Sequence, residues 1–146
     1  TLLAAFMPML ADTGGNAGSQ SATLVIRGLA LGEIKIGDFL RVISKELQVA
    51  LLMGVFLSML VFLRVLFFTG SASLPPGVTT FKVGIAVAMA LGIQVVSSTL
   101  IGACLPLVVH RFGKDPAVIA SPAITTFVDI TGLLIYFSIA RFLLEI

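Results

Sequence analysis

Long apolar runs, each about as long as a bilayer is thick, dictate most of what this chain can become. A spanning helix needs about 20 mostly apolar residues. Residues 47–68, 81–109 and 117–144 meet that requirement readily. A fourth stretch, 2–31, has the length but is interrupted over 11–22 by ADTGGNAGSQSA. The pattern predicts an all-α, polytopic membrane helix bundle, one domain over 1–146 with four spans, the first carrying a Gly-rich break. Composition agrees, with 58% hydrophobic and 11% charged residues, whereas soluble domains carry roughly 25% charged residues. The lipid bilayer has to be the solvent for most of that surface.

A formal charge of +2 with no basic cluster gives no reason to expect nucleic acid. Cys104 is the only cysteine, which excludes an intrachain disulfide and a cysteine-rich metal site. The chain opens on Thr1 inside the apolar run 2–10, with no positively charged segment before it. That is not the pattern of a signal peptide. Further residues are expected upstream.

The connectors differ in charge. Arg27, Lys35, Arg41 and Lys45 lie between the first two spans, and Arg111 and Lys114 between the last two. The link 69–80 (TGSASLPPGVTT) carries none. An excess of Lys and Arg marks the cytoplasmic side, so the spans run inward, outward, inward and outward. Arg64, near an outer helix end, can snorkel to the interface. Residues 34–46 mix Ile36, Phe39, Leu40 and Ile43 with Asp38, Arg41, Lys45 and Glu46, the pattern of a short amphipathic linker helix on the cytoplasmic surface.

In the third span, Gly84, Ala88 and Gly92 recur every fourth residue, a spacing that lets helices pack closely in lipid. Gln94, Ser97 and Ser98 follow, and are expected to bond to neighbouring helices. Cys104 reads as a small hydrophobe. His110 falls at the membrane–water boundary, where a plain boundary role is expected over that of a pH sensor.

The chemistry concentrates on two stripes. Asp129 lies near the centre of the last span, where an ionised Asp costs about 2.5–3.5 kcal/mol on insertion scales. Every Lys and Arg of the chain falls near a helix end or in a loop, so none obviously compensates it. A protonated carboxyl, a structural hydrogen bond, and a carboxylate facing a watery path are the three readings; the functional one is the default for intramembrane acids. Ser121, Thr125, Asp129, Gly132 and Tyr136 recur at steps of three and four, one helical face. The first span repeats the pattern with Asp12, Asn16, Gln20, Thr23 and Arg27, beside Gly14, Gly15 and Gly18. Glycines there permit a break, and irregular backbone at membrane depth belongs where it lines a cavity.

Carboxylates, amides, hydroxyls and carbonyls are hard oxygen donors, suited to Mg²⁺, Ca²⁺ or Mn²⁺ rather than Zn²⁺ or Cu⁺. Mg²⁺ keeps several waters and takes one or two carboxylates, which a sparse ring of acids and amides would satisfy. Four spans cannot easily enclose a pore and shield it from lipid. A two-fold axis would instead place two copies of Asp129 opposite each other.

At residue level the chain resembles the membrane domain of the MgtE family of magnesium channels and transporters, related to eukaryotic magnesium solute carriers. The carrying stretches are Pro8 with GGNAGSQSATLVIRGLALGEI, and DPAVIASPAITTFVDITGLLIYFSIARFLL. The likeness covers essentially the whole chain, with the same span order. It implies a multi-pass protein of the cell membrane, not an enzyme, that assembles as a homodimer of five spans per subunit. This chain would hold the second to fifth spans, without the upstream span or the cytosolic N-domain and CBS domains that sense Mg²⁺ and ATP. It also implies a pathway between subunits, lined by the second and fifth spans. Hydrated Mg²⁺, the bound and transported ion, would be recognised by Asp129. Oxygens of Thr125 and Gly132 would lie one turn away on each side, and Ser121 nearer the cytoplasm, where some relatives carry Asn. Asp12, Gly14, Gly15, Asn16, Gln20 and Tyr136 are the expected pore-lining residues, Gly-Gly-Asn being a family hallmark.

A proton- or sodium-coupled transporter of another solute, with Asp129 as carrier carboxylate, is the alternative. An intramembrane aspartyl protease using Asp12 and Asp129 would require a Gly-x-Gly-Asp motif, which neither ADTGG nor VDITG supplies. A purely structural subunit leaves both polar stripes unexplained.

Overall fold

The computed structural model describes residues 3–70, 74 and 77–144. Four helices follow one another: α1 (Met7–Ala30), α2 (Phe39–Phe68), α3 (Thr80–Arg111) and α4 (Pro116–Leu144), with short 3₁₀ turns at Leu3–Ala5 and Ile36–Asp38. Three stretches are long and apolar enough to cross a membrane: Ile36–Phe68, Thr80–Arg111 and Pro122–Leu144. At 1.5 Å per residue α1 also reaches about 36 Å, but its polar residues keep it out of that class.

The helix ends follow from local chemistry. Asp115 Oδ1 accepts the amide of Ala117 at 2.9 Å, capping α4 just ahead of Pro116, whose missing N–H costs nothing in the first turn. Thr79 accepts the Lys82 amide at 3.2 Å and caps α3. Gly32 (φ 71°) and Gly113 (φ 69°) end α1 and α3 in the left-handed region that glycine enters freely. In each case the next amide reaches back to the helix, Glu33 to the Gly28 carbonyl at 2.9 Å and Lys114 to that of Val109 at 3.3 Å.

Helix α3 is the hub. It packs against α1, α2 and α4, and α1 also packs on α4. Within the chain 56% of the most apolar stretch of α3 is buried, against 22% for α2 and 28% for α4. Helix α2 turns Leu52, Val55, Phe56, Met59 and Phe67 outward, a surface suited to lipid. The small residues of α3 form its seam with α2: Gly84 lies against the Phe62 ring, Ser58 Oγ donates to the Ala88 carbonyl at 2.8 Å, and Gly92 faces Ser58 and Gly54. The Arg64 guanidinium lies over the Phe6 ring, 5.8 Å from its centroid.

Two expectations are corrected. Helix α1 continues without a break through Gly14, Gly15 and Gly18. A Cβ at Gly18 would come within 3.2 Å of Ile124 and Val128, and one at Gly102 would overlap the Gly18 carbonyl, so α1 uses its glycines to approach α3 and α4. Close packing outweighs a propensity cost of about 1 kcal/mol per glycine. The expected amphipathic linker helix over 34–46 is not a separate element either. After one 3₁₀ turn, residues 39–46 form the opening turns of α2. No glycine or proline interrupts residues 39–53, and Val42 and Ile43 pack on the buried cluster of Val25, Ala103 and Leu107.

Candidate functional site

The polar stripe of α1 faces away from its own core. Leu10, Gly14, Gly18, Ala22 and Val25 are buried, whereas Asp12, Asn16, Gln20, Thr23 and Arg27 are exposed. Asn16 Nδ2 donates to Asp12 Oδ2 at 3.3 Å, one turn apart on this open face. Asn16, Ser19, Gln20, Thr23 and Leu24 line an open groove of 440 Å³. Gly15 lies at the margin of the face with open space around it, but Gly14 points inward.

The stripe of α4 divides. Thr125 is exposed and Asp129 half-buried, whereas Gly132 and Tyr136 are buried. The buried line of α4 steps by four through Ile124, Val128, Gly132, Tyr136 and Ala140. Steps of four drift around a helix of 3.6 residues per turn, so this line crosses the polar stripe at Gly132. Tyr136 therefore joins the main core cluster with Val87, Leu91 and Val95, and it does not line an open face in this chain. The side chain of Ser121 lies outside the described residues.

The Asp129 carboxylate has no hydrogen bond or ion pair among the described residues. Nor do any three His, Cys, Asp or Glu side chains there lie close enough together to hold a metal ion.

At the junction of α1, α3 and α4 sits Gln94, wholly buried, its Nε2 donating to the Val128 carbonyl at 3.0 Å. The same carbonyl accepts from Thr131 Oγ1 at 3.2 Å.

A family profile described as a divalent cation transporter, MgtE, matches residues 7–139. The chain belongs to the MgtE family. It is 43% identical to the magnesium transporter MgtE of Thermus thermophilus, over 99% of this chain and 30% of that protein. It is 36% identical to the magnesium transporter MgtE of Bacillus subtilis, over 94% of this chain and 29% of that protein. For the protein of that name from Enterococcus faecalis the identity is 34%, over 96% and 29%. The chain thus spans about 30% of the length of the curated relatives it matches.

MgtE is a transporter family rather than an enzyme family, and the apolar helices make this member membrane-embedded. One polar link of this MgtE chain had no sequence signal. Ser21 Oγ, buried on α1, donates to Glu46 Oε2 on α2 at 2.7 Å. Only the fold brings these residues, 25 apart, together. For Gln94 the sequence signals a bond to a neighbouring helix, which the Val128 carbonyl of α4 supplies, but not that partner.

Proposed function

We propose that this chain forms the permeation unit of a magnesium transporter of the cell membrane, with α1 as a fourth crossing helix. Two copies assemble so that the open polar faces of α1 and α4 line a pore between them. Asp129 attracts the hydrated Mg²⁺. Oxygens of Thr125 and Ser121 flank the ion through its water shell, and Asp12, Asn16 and Gln20 line the wall with Gly15 at its edge. The names of the relatives support the choice of ion, and the donors, all oxygen, suit a hard divalent cation.

The observation that carries this reading is the Asp129 carboxylate, set on an apolar helix and left without a partner among the described residues of its own chain. At membrane depth such a charge calls for a counter-charge or water. An ion held between two copies supplies the counter-charge, and a second carboxylate completes the charge match. Tyr136, Gly14 and Gly132 are left out of the pathway because all three are buried in this chain.

Inter-copy crosslinking tests the assembly. In a Cys104→Ala background, Thr125→Cys should form a disulfide-linked dimer in native membranes under mild oxidation. The same cysteine placed at lipid-facing Phe56 should not. Crosslinking at Phe56 but not at Thr125 would exclude a pore built on α4.

A further inference from the structure

We infer that Gln94 is the positioning residue of the Asp129 site: one amide, wedged between Gly14 and Gly132, sets the rotation and depth at which α4 presents its carboxylate. The inference rests on the ion-site reading of Asp129 given above.

Gln94 is 0% exposed, and its Nε2 donates to the Val128 carbonyl at 3.0 Å. Val128 immediately precedes Asp129, about 100° away around the helix. Tying that carbonyl to α3 fixes which way the next side chain points. The wedge has glycine on both sides. A Cβ at Gly14 would stand 2.5 Å from Nε2 and 3.0 Å from Cγ of Gln94, and one at Gly132 would stand 2.8 Å from Cδ. A side chain at either position would evict the amide.

The amide is not there for stability alone. Its Oε1 and the neighbouring Ser98 Oγ are buried without a hydrogen-bond partner among the described residues. An apolar side chain of the same length would fill the space and leave no acceptor unmet, which makes a half-paired buried amide a poor choice for packing. Departures from local packing rules of this kind concentrate at functional sites. A second-layer group that orients a ligand for a metal ion changes affinity for the ion when removed, while leaving the fold in place.

The test is Mg²⁺ flux into proteoliposomes, read as half-saturating Mg²⁺ and maximal rate, with Ca²⁺ as competing ion. Gln94→Met keeps length and volume but removes the donor. Half-saturating Mg²⁺ should rise about tenfold, with discrimination against Ca²⁺ reduced and thermal stability in detergent little changed. Because Gln94 acts through Asp129, the double variant with Asp129→Asn should bind Mg²⁺ no more weakly than Asp129→Asn alone. Should Gln94→Met fail to fold, Gly14→Ala, which displaces the same amide from the α1 side, takes its place with the same expected rise. A folded variant with unchanged half-saturation and Ca²⁺ discrimination, or full additivity in the double variant, would overturn the inference. If Asp129→Asn alone changes nothing, the ion-site reading itself fails. If Asp129→Asn weakens Mg²⁺ and Gln94→Met does not, only the positioning role of Gln94 falls.

Discussion

Gly102 of α3 lies directly on the backbone of Gly18 in α1, so close that a Cβ at position 102 would overlap the Gly18 carbonyl. Neither helix offers a flexible side chain there that could move aside. Gly102→Ala should therefore cost about 1–3 kcal/mol, the usual penalty for overpacking. Gly15, three residues from Gly18 but with open space around it, provides the contrast. Gly15→Ala should raise stability by up to about 1 kcal/mol through helix propensity. Melting curves of the two variants in detergent check the pair, and equal melting temperatures would contradict it.

That pair also marks where the sequence could and could not be read. The apolar runs 47–68, 81–109 and 117–144 fall within α2, α3 and α4, because a single apolar run in lipid can pair its backbone groups within itself only as a helix. The glycines of α1 were ambiguous, since the same residues serve a break or a close approach. Whether a partner backbone such as Gly102 waits on the other side decides between them, and that is a tertiary fact. The start of α2 was placed at residue 47 by hydropathy alone. The structure begins it at Phe39, because the charged turn ahead of the apolar run has no helix breaker and gains packing from Val42 and Ile43. The polar stripe of α1 was legible by spacing and stands exposed throughout. The stripe of α4 was legible only as far as Asp129, since Gly132 and Tyr136 turn into the core.

The hydroxyl of Ser21 and the carboxylate of Glu46 hold α1 and α2 together at their charged ends. Ser21→Ala removes the donor, while the half-buried Glu46 can turn toward water. The cost should be about 1 kcal/mol. Chemical denaturation should show that loss, and Glu46→Gln, which still accepts, should lose less. A larger loss for Glu46→Gln than for Ser21→Ala would mean that Glu46 is held by something other than this bond.

Gln20 stands on the open face of α1, away from the core. Gln20→Leu should leave stability within about 0.5 kcal/mol of wild type, as surface substitutions do. On the proposed reading it should nonetheless reduce Mg²⁺ flux severalfold, because an apolar side chain would displace waters that the ion carries. Flux in proteoliposomes and melting temperature, measured on the same preparation, separate the two effects. Unchanged flux would remove this face of α1 from the pathway.

The most direct measurement is Mg²⁺ flux into proteoliposomes for wild type against Asp129→Asn. The substitution keeps size and polarity but removes the charge proposed to attract the ion. Half-saturating Mg²⁺ should rise at least tenfold, equivalent to about 1.4 kcal/mol of lost interaction, with the assembly still folded. Wild-type flux and affinity in the Asn variant would show that Asp129 is structural, and would move the search for the pathway to Asp12 and Asn16.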